Sequence, residues 1–241
     1  MIKKILKLTA RLLGIVVALF SIYLANLFLM KPYSIDHYLG KELVLGLVDS
    51  PEALTYVGIL DRFNWLTKHN SRLSIPEEND LEEGIEELEK GIKTLYKYKD
   101  SSLTDVQKVT KKIAIFDLEN NLKELKEFPY LDYPLNQIGG IHLNTIEFMS
   151  DMHPVRTKSE ANDFIKRVEL IKDVYEGTLK DLEKQANSGI YPPEFVYGHV
   201  INQLNDFIDY SFEEHPLYTQ FMIKVKELNI TDKELDDFDK R

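Results

Sequence analysis

The chain has 241 residues, enough for one or two domains, and no cysteine, which excludes disulfides, thiolate metal sites and a lipidated cysteine. Its net charge of −10 is uneven. Residues 1–31 carry Lys3, Lys4, Lys7, Arg11 and Lys31 with no acid, +5, and the remainder carries 25 basic against 40 acidic side chains, −15. A body that acidic is repelled by phosphate backbones, so nucleic acid is not expected as a partner.

Leu12–Met30 is an uncharged run of 19 residues interrupted by Gly14, Ser21 and Asn26. As a helix rising 1.5 Å per residue it is long enough to span the hydrocarbon core of a bilayer. The basic cluster before it predicts a cytoplasmic N-terminus and an exported body. A cleaved signal peptide, giving a secreted body, and a buried soluble helix are the alternatives. Neither Ala18 nor Ala25 has the small partner that cleavage requires, so a retained single-pass anchor in the cell membrane is the expectation.

After Pro32 the chain reads as helices without sustained alternation. Leu45–Asp49 is a short apolar lead-in, and Ser50-Pro51-Glu52 starts a helix running to about Leu60, with a cap, a preorganised proline and an acid at the positive dipole end. Trp65, the only tryptophan, is expected as a core anchor with its indole N–H paired, with ligand stacking as the alternative. Leu81, Ile85, Leu88, Ile92 and Leu95 form one apolar stripe, with Glu82, Glu83, Glu86, Glu87 and Glu89 on a solvated face. Thr104–Gln107 has the form of a capping box. Val106, Val109, Ile113 and Phe116, then Leu122 and Leu125, are expected on the inner face of that helix. It should pair antiparallel with its predecessor through the Lys99–Leu103 turn.

Phe128–Ser150 is the least charged stretch outside the apolar run, with only Asp132 and Glu147, and holds Gly139-Gly140 and His142. Within it a helix from Ile141 to Asp151 should stop at His153-Pro154. Capping boxes at Thr157–Glu160 and Thr231–Glu234 open further helices. Ala161, Phe164, Val168, Ile171, Tyr175 and Leu182 make the stripe of the first, which Gly189 ends. Pro192-Pro193 opens a helix with the stripe Phe195, Val200, Leu204 and Phe207, and His215-Pro216 precedes another over Leu217–Leu228. Beyond the apolar run this reads as one all-helical body.

The sequence has no HExxH, phosphate loop, GxGxxG or GxSxG. None of its six histidines pairs with another at the i, i+4 spacing of a helix-borne zinc pair. His142, Glu147, Asp151 and His153 are near enough in sequence to converge around one helix end, as a metal site or as hydrogen-bonded structural groups. A self-sufficient enzyme built on His142, Glu147 and His153 is the corresponding functional alternative.

Three stretches in order carry a resemblance: SPEALTYVGI (Ser50–Ile59), YPLNQIGGIHLNTIEFMSDMHPVRTKSEANDFIKRVELI (Tyr133–Ile171) and SGIYPPEFVYGHVINQL (Ser188–Leu204). Together they resemble the N-terminal half of the bacterial domain-of-unknown-function 885 family, over about Leu45 to Leu228. That family is classed with gluzincin-like zinc metallopeptidases, helical proteins that are often exported or anchored. The resemblance implies an all-α chain: residues 1–31 a basic tail and transmembrane anchor, residues 32–241 an exported helical domain like the N-terminal lobe of helical metallopeptidases. The family's HExxH and downstream glutamate belong to a C-terminal half that this chain does not contain. No catalytic, cofactor or metal residue therefore carries over, and zinc is expected only in that other half. The chain then reads as a truncated or split half, inactive alone, with the membrane and a catalytic half or a peptide as partners. Tyr133, Asn136, Gln137, His142, Glu147, His153 and Arg156 are its candidates for a cleft wall or ligand contact. The alternative is a stand-alone anchored module that binds or senses a peptide or small ligand.

Overall fold

The computed structural model describes residues 2–240, without the side chains of residues 2–6, 8 and 10; Arg241 and the side chains of Lys3 and Lys4 lie outside the described residues. The helices are α1 (Ile2–Leu29), α2 (Ile35–Asp49), α3 (Pro51–Val57), α4 (Asn64–Thr67), α5 (Asp80–Tyr96), α6 (Asp105–Glu127), α7 (Ile141–Glu147), α8 (Lys158–Asn187), α9 (Glu194–Ile208), α10 (Pro216–Lys226) and α11 (Asp232–Asp239). There is no strand among the described residues. The chain divides into two compact units, the first comprising Met1–Gly46 and Ile85–Lys123, the second Leu47–Gly84 and Glu124–Arg241.

In the first unit, α1 contains one segment, Arg11–Leu29, long and apolar enough to cross a membrane, with a mean hydropathy of 2.4. Its apolar side chains, from Leu12 to Leu29, are largely uncovered. Two of its polar side chains, Ser21 and Asn26, bond to backbone groups. Ser21 Oγ donates to Val17 O at 2.9 Å, Asn26 Nδ2 donates to Lys31 O at 3.1 Å, and Asn26 Oδ1 accepts from Tyr33 N at 2.9 Å. Asn26 thus clamps the bend through which the chain enters α2. Tyr98 tightens the same bend, donating to Pro32 O at 2.7 Å while Lys31 Nζ lies 4.2 Å from its ring centre. The core is small: Ile35, Tyr38, Leu95 and Tyr98, flanked by Ala114, Ile115 and Leu118 of α6. The expected antiparallel hairpin of α5 and α6 is present. A Cβ added at Gly91 would meet Leu118 Cδ1 at 3.2 Å, Tyr96 OH donates to Glu119 at 3.0 Å, and a 3-10 turn over Asp100–Ser102 joins the pair.

Leu122 and Leu125 are partly buried as expected, and a Cβ at Gly84 would meet Leu125 Cδ1 at 3.5 Å, but over Val106–Phe116 the inner face of α6 is not the expected one. Val106, Val109, Ile113 and Phe116 are 76%, 56%, 63% and 69% exposed. Ala114, Ile115 and Leu118 face α5 instead. Helix α6 carries two apolar stripes more than a quarter turn apart, and a helix with two stripes does not say which one its neighbour covers.

In the second unit the core joins Met149, Val155, Phe164, Phe221 and Val225 with Phe238 of α11. Phe164 and Phe221 stack at 4.8 Å, and Phe238 meets Phe221 edge-on at 5.9 Å. Short α11, its start fixed by a full Thr231–Glu234 capping box, is fastened by the Phe238 ring, by Lys158–Glu234 at 2.5 Å and by Tyr218 OH donating to Asp239 at 2.5 Å. The box expected at Thr157–Glu160 is half made. Thr157 caps Glu160 N at 3.2 Å, but the Glu160 carboxylate accepts from Arg156 N at 2.6 Å and from the Arg156 guanidinium. Gly58 and Gly189 end α3 and the turn after α8 with φ of +66° and +74°, conformations only glycine adopts without strain.

Trp65, Phe195 and, at 37% exposure, Val168 of the expected α8 stripe also lie outside the core. Trp65 is 74% exposed because α4 is a single turn that points Asn64 inward, where it donates to Asp163 Oδ2 at 2.9 Å and accepts from Asn70 N at 3.0 Å. The next two positions, Trp65 and Leu66, then point outward. Phe195 is 62% exposed, and Val196 takes the buried position beside Val200. The lead-in at Leu45–Asp49 is the last turn and a half of α2, whose earlier part the sequence reading left unassigned.

Candidate functional site

The second unit is organised around Arg167, a fully buried guanidinium on the inner face of α8. Every partner it holds is neutral. Nε donates to Arg72 O at 2.8 Å, Nη1 to His153 Nδ1 at 2.9 Å, and Nη2 to His69 O and Thr55 Oγ1, each at 2.7 Å. The Phe148 ring lies 4.8 Å from the guanidinium carbon. Burial lowers the Arg167 pKa to about 10, the Glu52 and Asp163 charges opposing the fall, so it stays cationic at neutral pH. One cation thereby joins α3, the turn around His69, α8 and the segment after α7.

That last segment is a π turn, Phe148–Met152, closed by His153 N donating to Phe148 O at 3.0 Å. A π turn widens the ring of backbone atoms and frees carbonyls from the helical ladder. Lys224 of α10 answers them, donating to Ser150 O at 2.6 Å and His153 O at 2.9 Å. The turn delivers His153 to Arg167, with its ring edge-on to Phe164 at 5.2 Å. Burial first, then the Arg167 charge, lower the His153 pKa to about 3. The ring is therefore neutral, accepts at Nδ1 and carries its proton on Nε2, which faces Glu160 O at 3.3 Å.

At the rim, Arg156 Nη2 bridges Asp61 at 2.5 Å and Glu160 at 2.6 Å. Asp61 also meets His69 Nε2 at 3.3 Å, and His69 Nδ1 lies 2.6 Å from Thr67 Oγ1. His153 and Arg156 are thus two ends of one structural network.

The other candidates form a second cluster. Asn136 Oδ1 accepts from Ile138 N at 3.0 Å and Gly139 N at 2.8 Å, folding the loop onto itself. A Cβ at Gly140 would meet Asn136 N at 2.6 Å, so only glycine fits there. Gln203 of α9 receives the loop, accepting from His142 Nε2 at 3.0 Å and donating to Gln137 O at 3.1 Å. Tyr133 OH donates to Tyr191 O at 3.2 Å. His142 Nδ1, buried, has no partner. Beside this cluster an apolar cavity of about 230 Å³ is lined by Leu135, Leu182, Ile190, Val196, Tyr197 and Val200, among others.

Glu147 and Asp151 are exposed, and Asp151 lies near enough to Lys224 to act on its charge. The convergence of His142, Glu147, Asp151 and His153 does not form, and among the described residues no group of His, Asp and Glu is placed to hold a metal ion. The Arg167 charge beside His153 would itself repel a cation. What the sequence reading missed is Arg167, together with Thr55, Asp61 and His69. The available signal was a charge at the apolar spacing of α8, three residues after Phe164.

The family model described as "Bacterial protein of unknown function (DUF885)" matches residues 51–240. No curated protein matches the chain. Among solved structures, the crystal structure of a protein described as "the putative lipoprotein from Colwellia psychrerythraea" is similar in fold. It has a TM-score of 0.66 and 18% identity, over 80% of this chain and 36% of that one. The chain thus spans about a third of the length of that neighbour, and it has no cysteine to carry a lipid. The match over 51–240, which takes in α3 to α11, the Arg167 network and the Gly139–Gly140 loop, places the chain in the DUF885 family of bacterial proteins.

Proposed function

We propose that the chain is the membrane-anchored helical lobe of a metallopeptidase-like protein, without catalytic activity of its own, that supplies one wall of a peptide cleft. Residues 1–31 are the cytoplasmic tail and span, residues 32–241 the exported domain, and zinc is held by residues of another half. The observation that carries this reading is the uncovered apolar face of α9. Tyr197, Ile201 and Ile208 are 43%, 53% and 73% exposed, and Tyr197 also lines the cavity. Contiguous apolar surface on a folded domain marks a face that a protein, membrane or ligand covers, and the second unit's 31 acidic against 16 basic side chains disfavour anionic lipid. The likeness to a third of a longer chain supports a lobe rather than an entire architecture.

The cavity volume supports a peptide over a free small ligand. Dry cavities of about 150 Å³ hold a benzene ring, whereas drug-sized ligands use pockets of ~300–1,000 Å³. At about 230 Å³ the cavity takes one leucine or phenylalanine side chain. The full chain in lipid nanodiscs should bind fluorescent peptides bearing one such residue. Ala186→Leu, which fills the cavity, should weaken binding about tenfold, roughly 1.4 kcal/mol. Unchanged affinity in that variant removes the cavity from the proposal. Zinc-dependent cleavage of the peptides by this chain alone, with stoichiometric bound zinc, overturns the lobe reading in favour of a self-sufficient enzyme.

A further inference from the structure

The uncovered stripe of α6 belongs to the unit that begins with the apolar helix α1, and the two are joined by the fixed bend at Lys31–Tyr33. We infer that the outer face of α6, Val106, Val109, Ile113 and Phe116, lies on the phospholipid surface of the bilayer that α1 spans. The inference rests on the reading of α1 as a membrane span.

Four observations select lipid as the occupant. The stripe covers about three turns of one helix, far fewer than the ~20–30 residues a side of a standard protein interface, so a second copy would bury too little. Charge is compatible. From Lys31 onward this unit has 10 basic and 9 acidic side chains, whereas the other unit has 16 against 31 and would be repelled by anionic lipid. Lys112, exposed beside the stripe, is long enough to reach phosphates while the apolar residues enter the headgroup region, whereas Lys108 is paired with Asp105 at 2.9 Å. Tyr33 and Tyr96, 75% and 59% exposed, add the amphipathic rings that favour a membrane–water boundary. Helices of this kind sit about 5–10 Å into the headgroup and acyl boundary.

Because the chain has no cysteine, single cysteines report without background. Ile113→Cys, Glu86→Cys and Val17→Cys would each be labelled with an environment-sensitive fluorophore. The full-length protein is then reconstituted in phosphatidylethanolamine–phosphatidylglycerol vesicles. Quenching by nitroxide-bearing lipid should be severalfold stronger at 113 than at 86, and quenching by aqueous iodide severalfold weaker. Equal quenching at the two sites, with Val17→Cys quenched by lipid, overturns the docking while leaving the anchor intact. Val17→Cys unquenched by lipid removes the anchor itself. Protection of 113 from iodide without lipid quenching, in vesicles where the protein cross-links to itself, assigns the stripe to a second copy instead.

Discussion

The two units bury different things. The first closes on four buried apolar residues, two of them tyrosines, and leaves whole apolar faces of α1 and α6 uncovered. The second closes on a larger apolar cluster and, beside it, a buried arginine with neutral partners on three other chain segments. One unit has too little interior for its apolar residues, and the other has interior enough to hold a charge. Under the proposed docking, the first unit would draw on lipid for part of its burial. The second fixes its segments by directional bonds through Arg167.

The sharpest way to break that contrast is Arg167→Met. Every partner of Arg167 is neutral, so its loss leaves no unpaired charge, and the cost comes from the buried acceptors it strands, about 1–3 kcal/mol each. Those acceptors are Thr55 Oγ1, Arg72 O and His153 Nδ1, whereas His69 O keeps the Arg72 N–H as a donor at 3.1 Å. Denaturant unfolding of the full chain in nanodiscs should show that cost, and hydrogen exchange should place it in the second unit. Loss below about 1 kcal/mol would mean that the network is incidental to the fold.

Acid and alkali should separate the units next. His153 has its pKa lowered from 6.5 to about 3 in the folded state. As pH falls from 6.5 to 3 the unfolded chain takes up the proton and the folded chain does not. Stability of the second unit therefore falls with pH over that window, by up to about 1.4 kcal/mol per unit. His153→Gln, which keeps an acceptor for Arg167, should flatten this slope. In the first unit burial raises Tyr38 and Tyr98 to about 12. Both stay neutral while the unfolded chain ionises above pH 10, so stability present below pH 10 is lost as pH rises towards 12. Hydrogen exchange should show the second unit loosening first in acid and the first unit in alkali.

A smaller effect is confined to the second unit. A Cβ at Gly177 would meet Pro76 O at 2.6 Å, so Gly177→Ala must push backbone apart and should cost about 1–3 kcal/mol. Gly198→Ala, with nothing within 4 Å of its Cβ, should not destabilise.

The helix boundaries were legible because their signals are local. Ser50-Pro51, Thr231-x-x-Glu234 and Gly189 each fix a backbone conformation within a few residues. Arg167 was not legible as a hub, because a lone arginine on a helix reads as solvated unless its partners, up to 116 residues away in sequence, are known. His142 and His153 looked like one cluster because they are close in sequence. The fold gives one to Gln203 of α9 and the other to Arg167 of α8. Trp65 was misjudged because residue type was weighed above the one-turn geometry that sends its neighbour Asn64 inward.

Helix α6 offers the finest test, since its two stripes are equally apolar in sequence and only packing distinguishes them. Leu118 packs on the small core and on Gly91, so Leu118→Ala should destabilise the first unit by about 2 kcal/mol, the low end for a partly enclosed leucine. Ile113→Ala removes as much apolar side chain from the opposite stripe, where it touches no core, and should change unfolding in mild detergent by no more than about 0.5 kcal/mol. The reverse ranking would turn α6 by more than a quarter turn and restore the face expected from its sequence. Such a turn would also bury Val106 and Phe116 and leave the bilayer nothing to hold, so this pair of substitutions tests the packing of the unit and the membrane inference together.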